Sequence, residues 1–361
     1  VGDHTDRGAH LVSPRIPRIK RAKPALSSPT IALVGCGAIA DFFYIPALEN
    51  RPDLRSQLIV VDRDEGRADA VRRRLGAASA VTDHREVLDR VQGAIIATPH
   101  HLHTPLTLDF VRHGVHVLSE KPLSETPAEV DEVVEAAREN GVQVAVNHTR
   151  RLFSSFQEVQ RQVSGGAIGE LKEVDYVLGE PFGWPAETNT YFGAAAGGRG
   201  VLFDTGAHIV DLVCWFMGGE PELVSYEDDS RGGTEAVAQL ELRRGPTTAR
   251  VRLSWLSKLR NTYRLTGSEG SLEGRVYEWS SYTRRDKRGR AKSIRTDKTR
   301  EFTHFADKLL QNFTAVIGGD ATPIVSAADV RAATSIIDQC YRNRRLMETP
   351  WYDACTRLAH V

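Results

Sequence analysis

Lys121 stands between Glu120 and Pro122 at the end of the short apolar run Val115 to Leu118, which reads as a buried strand. Pro122 removes a backbone donor and biases Lys121 towards extended backbone, so the strand ends here and the ammonium projects from its carboxyl end. That edge is where open α/β sheets hold their ligands. Taken alone, the tripeptide also suits a surface lysine in an ordinary strand-to-helix turn. Its place downstream of Gly35-Cys36-Gly37-Ala38-Ile39-Ala40 favours chemistry. That loop has the G-x-G-x-x-A form. Gly35 permits the tight turn, Gly37 lets a pyrophosphate approach the backbone, and Ala40 allows close helix–strand packing. The free amides and positive dipole end of the helix that follows suit phosphates. Asp62, at the end of Leu58 to Val61, can accept hydrogen bonds from the adenine-side ribose and repels a 2′-phosphate. NAD is therefore favoured over NADP, although the neighbouring Arg63 could hold that phosphate. Further on, Asp204 and His208 share one helical face, a spacing that suits a His base steadied by a carboxylate. A buried Asp–His hydrogen bond that only ties helix to sheet is the plainer alternative.

The elements that must position these groups alternate regularly. Strands are predicted at Thr30 to Val34, Leu58 to Val61, Ala80-Val81, Gly93 to Ala97, Val115 to Leu118 and Val142 to Val146. Helices are predicted between them at Glu65 to Leu75, Arg85 to Val91, Thr104 to Arg112 and Ala128 to Asn140, the last ended by Gly141. Such β-α alternation argues for a doubly wound parallel sheet of the Rossmann type. The loop Thr98-Pro99-His100-His101-Leu102-His103 follows the fourth strand. Its three histidines invite a metal reading, but no nearby Cys or carboxylate completes a site, so a loop lying against the cofactor explains it better.

The second half changes character. After Arg150-Arg151-Leu152-Phe153 a helix runs to about Val163 and is broken by Gly165-Gly166, and Leu171 to Leu178 alternates as a strand. Closely spaced runs at 222–227, 236–243, 247–255, 261–266 and 270–277 predict a mostly antiparallel sheet. The apolar stretch Leu212 to Met217 continues the helix that carries Asp204 and His208. Residues 284–300 hold nine Arg or Lys against two Asp around Gly289, which favours a solvated hairpin over an anion-binding arm. Two amphipathic helices, 302–317 and 327–341, close the chain.

Composition sets the outer limits. The 361 residues are long enough for two domains, and a 41% hydrophobic, 26% charged composition is that of a globular enzyme. A formal net charge of zero gives no pull towards nucleic acid or an acidic membrane. Cys36, Cys214, Cys340 and Cys355 lack metal-type spacing and read as reduced thiols. No apolar run is long enough to span a bilayer, and the N-terminus lacks a secretory core, so a cytoplasmic location is expected. Expected boundaries are a basic disordered tail over 1–28, a dinucleotide-binding domain over 29–148, a substrate-binding and oligomerisation domain over 149–345, and a tail over 346–361.

Together, Gly35 to Ala40, Ile45-Pro46-Ala47-Leu48, Thr98-Pro99 with His103, Glu120-Lys121-Pro122, Asn147 to Phe153, Gly197 to Asp211 and Gly267-Ser268-Glu269-Gly270 resemble the Gfo/Idh/MocA oxidoreductases in the right order. The resemblance covers roughly residues 30 to 345. It implies a Rossmann domain followed by an α/β domain with an open sheet, one face of which often mediates homo-oligomers. It also implies a nicotinamide-dependent oxidoreductase acting on a secondary alcohol or ketone of a sugar, polyol or sugar derivative. Thr98, Pro99, His103, Glu120 and Lys121 would border the cofactor. Lys121 would stabilise the developing alkoxide, and His208 would exchange the proton with Asp204 orienting it; which group is the base stays open. Asp211 ranks below these as a further polar contact. Two other readings follow from the same fold: an NAD-dependent glycosidase that oxidises the sugar transiently, and a non-catalytic dinucleotide sensor, against which the intact Glu120-Lys121-Pro122 argues.

Overall fold

The computed structural model describes residues 28–185, 199–231, 233–299 and 301–348. Most of the tail expected over 1–28, and all but the first three residues of that expected over 346–361, lie outside the described residues, as does Cys355. In the first half, β1 (Ile31–Val34), β2 (Ile59–Val61), β3 (Ser79–Val81), β4 (Gly93–Ile96), β5 (His116–Glu120) and β6 (Val144–Asn147) form a wholly parallel sheet in the order β3-β2-β1-β4-β5-β6. β1, β2, β4 and β6 are buried along their whole length, which is why they read as apolar runs rather than alternating ones. The order reverses between β1 and β4, so a crevice opens at their carboxyl ends.

The helices here are α1 (Ile45–Glu49), α2 (Pro52–Arg55), α3 (Glu65–Leu75), α4 (His103–Arg112) and α5 (Pro127–Asn140). Asp64 caps α3 through the Arg67 amide, and a Thr126–Glu129 capping box starts α5. Gly76 and Gly141 end those two helices in the left-handed conformation. The glycine loop leads into a π-helical stretch, Ala40–Tyr44, before α1. The helix expected over 85–91 is instead a 3-10 turn, His84–Glu86, followed by turns. Its bonds run Val87 N to His84 O and Arg90 N to Val87 O, because a segment this short gains too few α-helical bonds to offset nucleation.

The second half follows α6 (Ser154–Ser164) with β7 (Leu171–Gly179), α7 (Thr205–Met217), β8 (Glu222–Asp228), β9 (Val237–Arg244), β10 (Thr247–Ser254), β11 (Thr262–Gly267), β12 (Gly270–Arg275), β13 (Ser281–Asp286) and β14 (Ala291–Arg295). After α8 (Thr303–Gly318) and α9 (Arg331–Arg342) comes the two-residue β15 (Arg345–Leu346). The nine strands form one sheet, β14-β13-β12-β11-β7-β10-β9-β8-β15. It is antiparallel except at β7–β10 and β8–β15. Residues 284–295 of the basic segment belong to the β13–β14 hairpin, with Gly289 in its turn at φ +79°.

The chain then returns to the first sheet. A Cβ on Gly93 would stand 2.5 Å from Ile317 Cδ1, so α8 packs directly on β4. Ser326 bridges Ala145 on β6, with Val146 N bonded to Val325 O and Ala327 N to Val144 O. One apolar core accordingly runs from Leu33 and Ile95 through Phe156 and Phe305 to Leu253 and Tyr263.

Candidate active site

Gly35 turns the chain off β1 at φ +97°, and a Cβ there would lie 2.5 Å from Ala97 O. Only glycine satisfies both demands. Around Gly37 a Cβ would meet nothing within 4 Å, and this open side faces a cavity of about 700 Å³. Asp62 sits at the same cavity, 9% exposed. Its carboxylate accepts from the Cys36 amide at 2.8 Å and the Asp64 amide at 2.9 Å, with Arg67 Nη2 3.4 Å away. Asp62 therefore stitches the glycine loop to β2 while lining the cavity. Arg63 lines the cavity from an exposed position. Thr98 Oγ1 is buried there with no hydrogen-bond partner among the described residues. An open glycine cradle, a carboxylate at the next strand end and an orphaned hydroxyl together fit a dinucleotide.

β5 delivers Glu120 and Lys121 to the same crevice. Glu120 is buried and accepts from Tyr44 Oη at 2.8 Å and Asn147 Nδ2 at 2.6 Å. Burial pushes its pKa up, opposed by those hydrogen bonds and by the Lys121 charge. His103 binds the turn itself: its Nδ1 lies 2.7 Å from Pro122 O and its Nε2 2.8 Å from Thr98 O. Burial pulls this imidazole's pKa down, so in its neutral form it donates to one of the two carbonyls. The third histidine of the loop thus acts as a brace between two strand ends, which is what the Thr98–His103 segment contributes to the site.

Lys121 Nζ reaches Asp204, 2.6 Å from Oδ1 and 3.0 Å from the backbone oxygen. The expected Asp204–His208 pairing is not what the structure shows. Asp204 precedes the first turn of α7 at φ −84°, ψ −77°, and its side chain bonds Lys121 and the Thr205 hydroxyl instead. A full cation at this range outcompetes an uncharged imidazole one turn on. His208 faces His148, with ring centroids 5.7 Å apart, and its Nδ1 has no hydrogen-bond partner among the described residues. Burial drives the His208 pKa well below its ordinary value, helped by the charges of Lys121 and Arg150. A neutral imidazole with a free ring nitrogen can take a proton. Behind it, His148 Nδ1 lies 3.5 Å from Asp211 Oδ2, and Asp211 is clamped by Arg151 at 2.8 and 2.7 Å. Asp211 is thereby a buried anchor rather than a cavity contact.

Two family models match this chain. Residues 30–148 match the oxidoreductase family with an NAD-binding Rossmann fold, and residues 156–273 match the GFO/IDH/MocA C-terminal domain. The chain belongs to the GFO/IDH/MocA family. Trans-1,2-dihydrobenzene-1,2-diol dehydrogenase of Oryctolagus cuniculus is 30% identical over 247 residues, 66% of this chain and 73% of that protein. D-glucoside 3-dehydrogenase of Escherichia coli is 30% identical over 203 residues, 53% of this chain and 55% of its own length. The chain thus spans about half the length of the latter, as it does of scyllo-inositol 2-dehydrogenase (NADP(+)) of Bacillus subtilis, covered over 51% at 27% identity. Among solved structures, a 3-ketoreductase from Actinomadura kijaniata in complex with NADP and TDP-benzene superposes with a TM-score of 0.75. That match covers 89% of this chain and 99% of the other at 22% identity, a likeness of fold.

In this GFO/IDH/MocA chain the cavity gathers Gly37, Asp62, Thr98, Lys121, Asp204 and His208. Reading the sequence by motif left several neighbours without a role: Tyr44 and Asn147 behind Glu120, and His148, Arg150 and Arg151 after β6. The last three were within reach, since they follow a parallel strand at its carboxyl end, the edge that already pointed to Lys121. Among the described residues no helix is long and apolar enough to cross a membrane.

Proposed function

We propose that this chain transfers a hydride between NAD(H) and a secondary alcohol or ketone of a sugar, polyol or sugar derivative. The observation that carries the reading is the Lys121–Asp204 ion pair at the carboxyl end of β5, in the same cavity as the glycine cradle and a neutral His208. A bound nicotinamide supplies the hydride acceptor or donor. Lys121 Nζ, held in place by Asp204, donates to the substrate oxygen and stabilises the negative charge that builds on it. His208 exchanges the hydroxyl proton. Asp204 is thus a positioning group for Lys121 rather than for His208. Asp62 favours NAD, since its carboxylate repels a 2′-phosphate.

Relatives named for glucosides, inositols and dihydrodiols supply the starting panel. Polyols, sugars and nucleotide sugars are offered with NAD+ and NADP+ in parallel while nicotinamide absorbance is followed. The reading expects reduction of NAD+ by at least one class of secondary alcohol, and faster with NAD+ than with NADP+. Release of a leaving group from aryl glycosides without net absorbance change would replace it with the glycosidase reading.

A further inference from the structure

We infer that the substrate pocket is built for a sugar or polyol bearing an oxyanion substituent, a carboxylate or a phosphate monoester, and that Arg150 reads it. The inference rests on the proposed oxidoreductase function and narrows its substrate class. Arg150 sits on the 3-10 turn Thr149–Leu152 that follows β6, and it lines the same cavity as Lys121 and His208. It is 9% exposed, and its Nη1 is buried without a hydrogen-bond partner among the described residues. Neighbouring cations are matched. Arg151, equally buried, is held by both oxygens of Asp211; Lys121 is paired with Asp204; Arg199 lies 2.8 Å from Glu125. No ion pair among the described residues involves Arg150.

A guanidinium cannot relieve such burial by losing its proton. A buried charge left without a counter-ion is costly to the fold, so its presence in a ligand cavity points to a ligand that brings the missing anion. The surroundings suit one. Arg150 lies 5.4 Å from the centroid of the Tyr277 ring, and the buried Tyr176 hydroxyl lies close enough to the guanidinium to feel its charge. Burial raises both phenols, Tyr176 to about 12, so they stay protonated, and the Arg150 charge acts against that rise. A planar fork beside phenolic O–H donors matches the oxygens of a carboxylate or phosphate. The acids on this side are engaged: Glu180 accepts from Asn261 Nδ2 at 2.5 Å, and Asp204 holds Lys121.

The test uses the full chain saturated with NAD+, titrated calorimetrically with matched pairs: D-glucuronate and D-glucose, D-galacturonate and D-galactose, D-glucose 6-phosphate and D-glucose, myo-inositol 1-phosphate and myo-inositol. Wild type, Arg150→Gln and Arg150→Lys are compared, and nicotinamide absorbance is recorded on the same mixtures. At least one acidic ligand should bind tighter than its neutral partner, on the order of tenfold to a hundredfold for a hydrogen-bonded charge. Arg150→Gln should abolish that preference and Arg150→Lys should restore part of it, with NAD+ affinity at the wild-type value in all three. The uronate and phosphate arms tell which oxyanion is read. No acid preference in the wild type, or one that survives Arg150→Gln, overturns the inference. Should Arg150→Gln fail to fold, the wild-type pairs and Arg150→Lys decide in the same way. An acid preference that depends on Arg150 without any absorbance change would keep the inference and remove the oxidoreductase reading. Turnover of neutral sugars with no acid preference would do the reverse.

Discussion

Burial decides the protonation state of His208, and with it the role this side chain can take. Desolvation penalises the imidazolium, and the nearby Lys121, Arg150 and His148 penalise it further, so the ring is neutral throughout the neutral range. A lowered pKa moves the loss of base function to the acid side of the usual histidine value of about 6.5. Alcohol oxidation should therefore hold its rate as pH falls through 6 and drop only well below it. His208→Asn should lower kcat on the order of 100- to 10,000-fold and flatten that acid limb. A limb at or above pH 6.5, or a variant with unchanged turnover and profile, would return His208 to a packing role. Rate against pH for the two proteins, with one substrate, makes the comparison.

At the scale of elements, the glycine loop offers two substitutions with opposite signatures. Gly35→Ala places a methyl 2.5 Å from Ala97 O at φ +97°, so it should destabilise the fold by about 1–3 kcal/mol and weaken cofactor binding with it. Gly37→Ala enters open space in the ligand-free chain and should leave the thermal midpoint unchanged. Its methyl would, however, stand where the pyrophosphate approaches, costing NAD+ affinity about tenfold, or about 1.4 kcal/mol. Calorimetric titration and thermal unfolding of both variants separate the effects; equal loss of NAD+ affinity and of stability at Gly37 would count against the cradle. Much of this architecture was legible because parallel strands buried on both faces write themselves as apolar runs, and a glycine such as Gly141 marks a helix end. Strand direction in the second sheet was less so: alternation in β7 and β10 shows that each has a buried face, not that the two run parallel. The Lys121–Asp204 pair was hidden for a different reason. It joins residues 83 apart in sequence, whereas the helical spacing of Asp204 and His208 suggested a local partner that the structure does not use.

For the whole molecule, the buried histidines make stability depend on pH. Burial lowers the pKa of His148 to about 4, with Asp211 opposing and Arg151 and Lys121 assisting. Between its unfolded value of about 6.5 and its folded value, the unfolded chain binds a proton that the folded chain refuses. Stability is thus retained above pH 6.5 and lost as pH falls towards 4, by on the order of 3 kcal/mol from this residue alone. Urea unfolding at pH 7.5 and pH 5 should show the loss, and His148→Gln should reduce it; an equal loss in the variant would assign the acid sensitivity elsewhere. At the same scale, the ion pair between Lys121 at the end of β5 and Asp204 at the start of α7 joins the two halves of the chain. If Lys121 serves chemistry, removing its charge should cost the rate more than it costs cofactor binding. The decisive measurement is kcat on the best substrate of the panel, with the NAD+ dissociation constant and thermal midpoint taken on the same wild-type, Lys121→Ala and Lys121→Arg proteins. The account predicts that Lys121→Ala loses about a hundredfold or more in kcat, equivalent to about 2.7 kcal/mol, while NAD+ affinity changes far less. Lys121→Arg should rescue poorly, since a planar guanidinium does not fit the place of a compact ammonium. A Lys121→Ala protein that turns over within a few-fold of the parent per folded molecule would contradict the account.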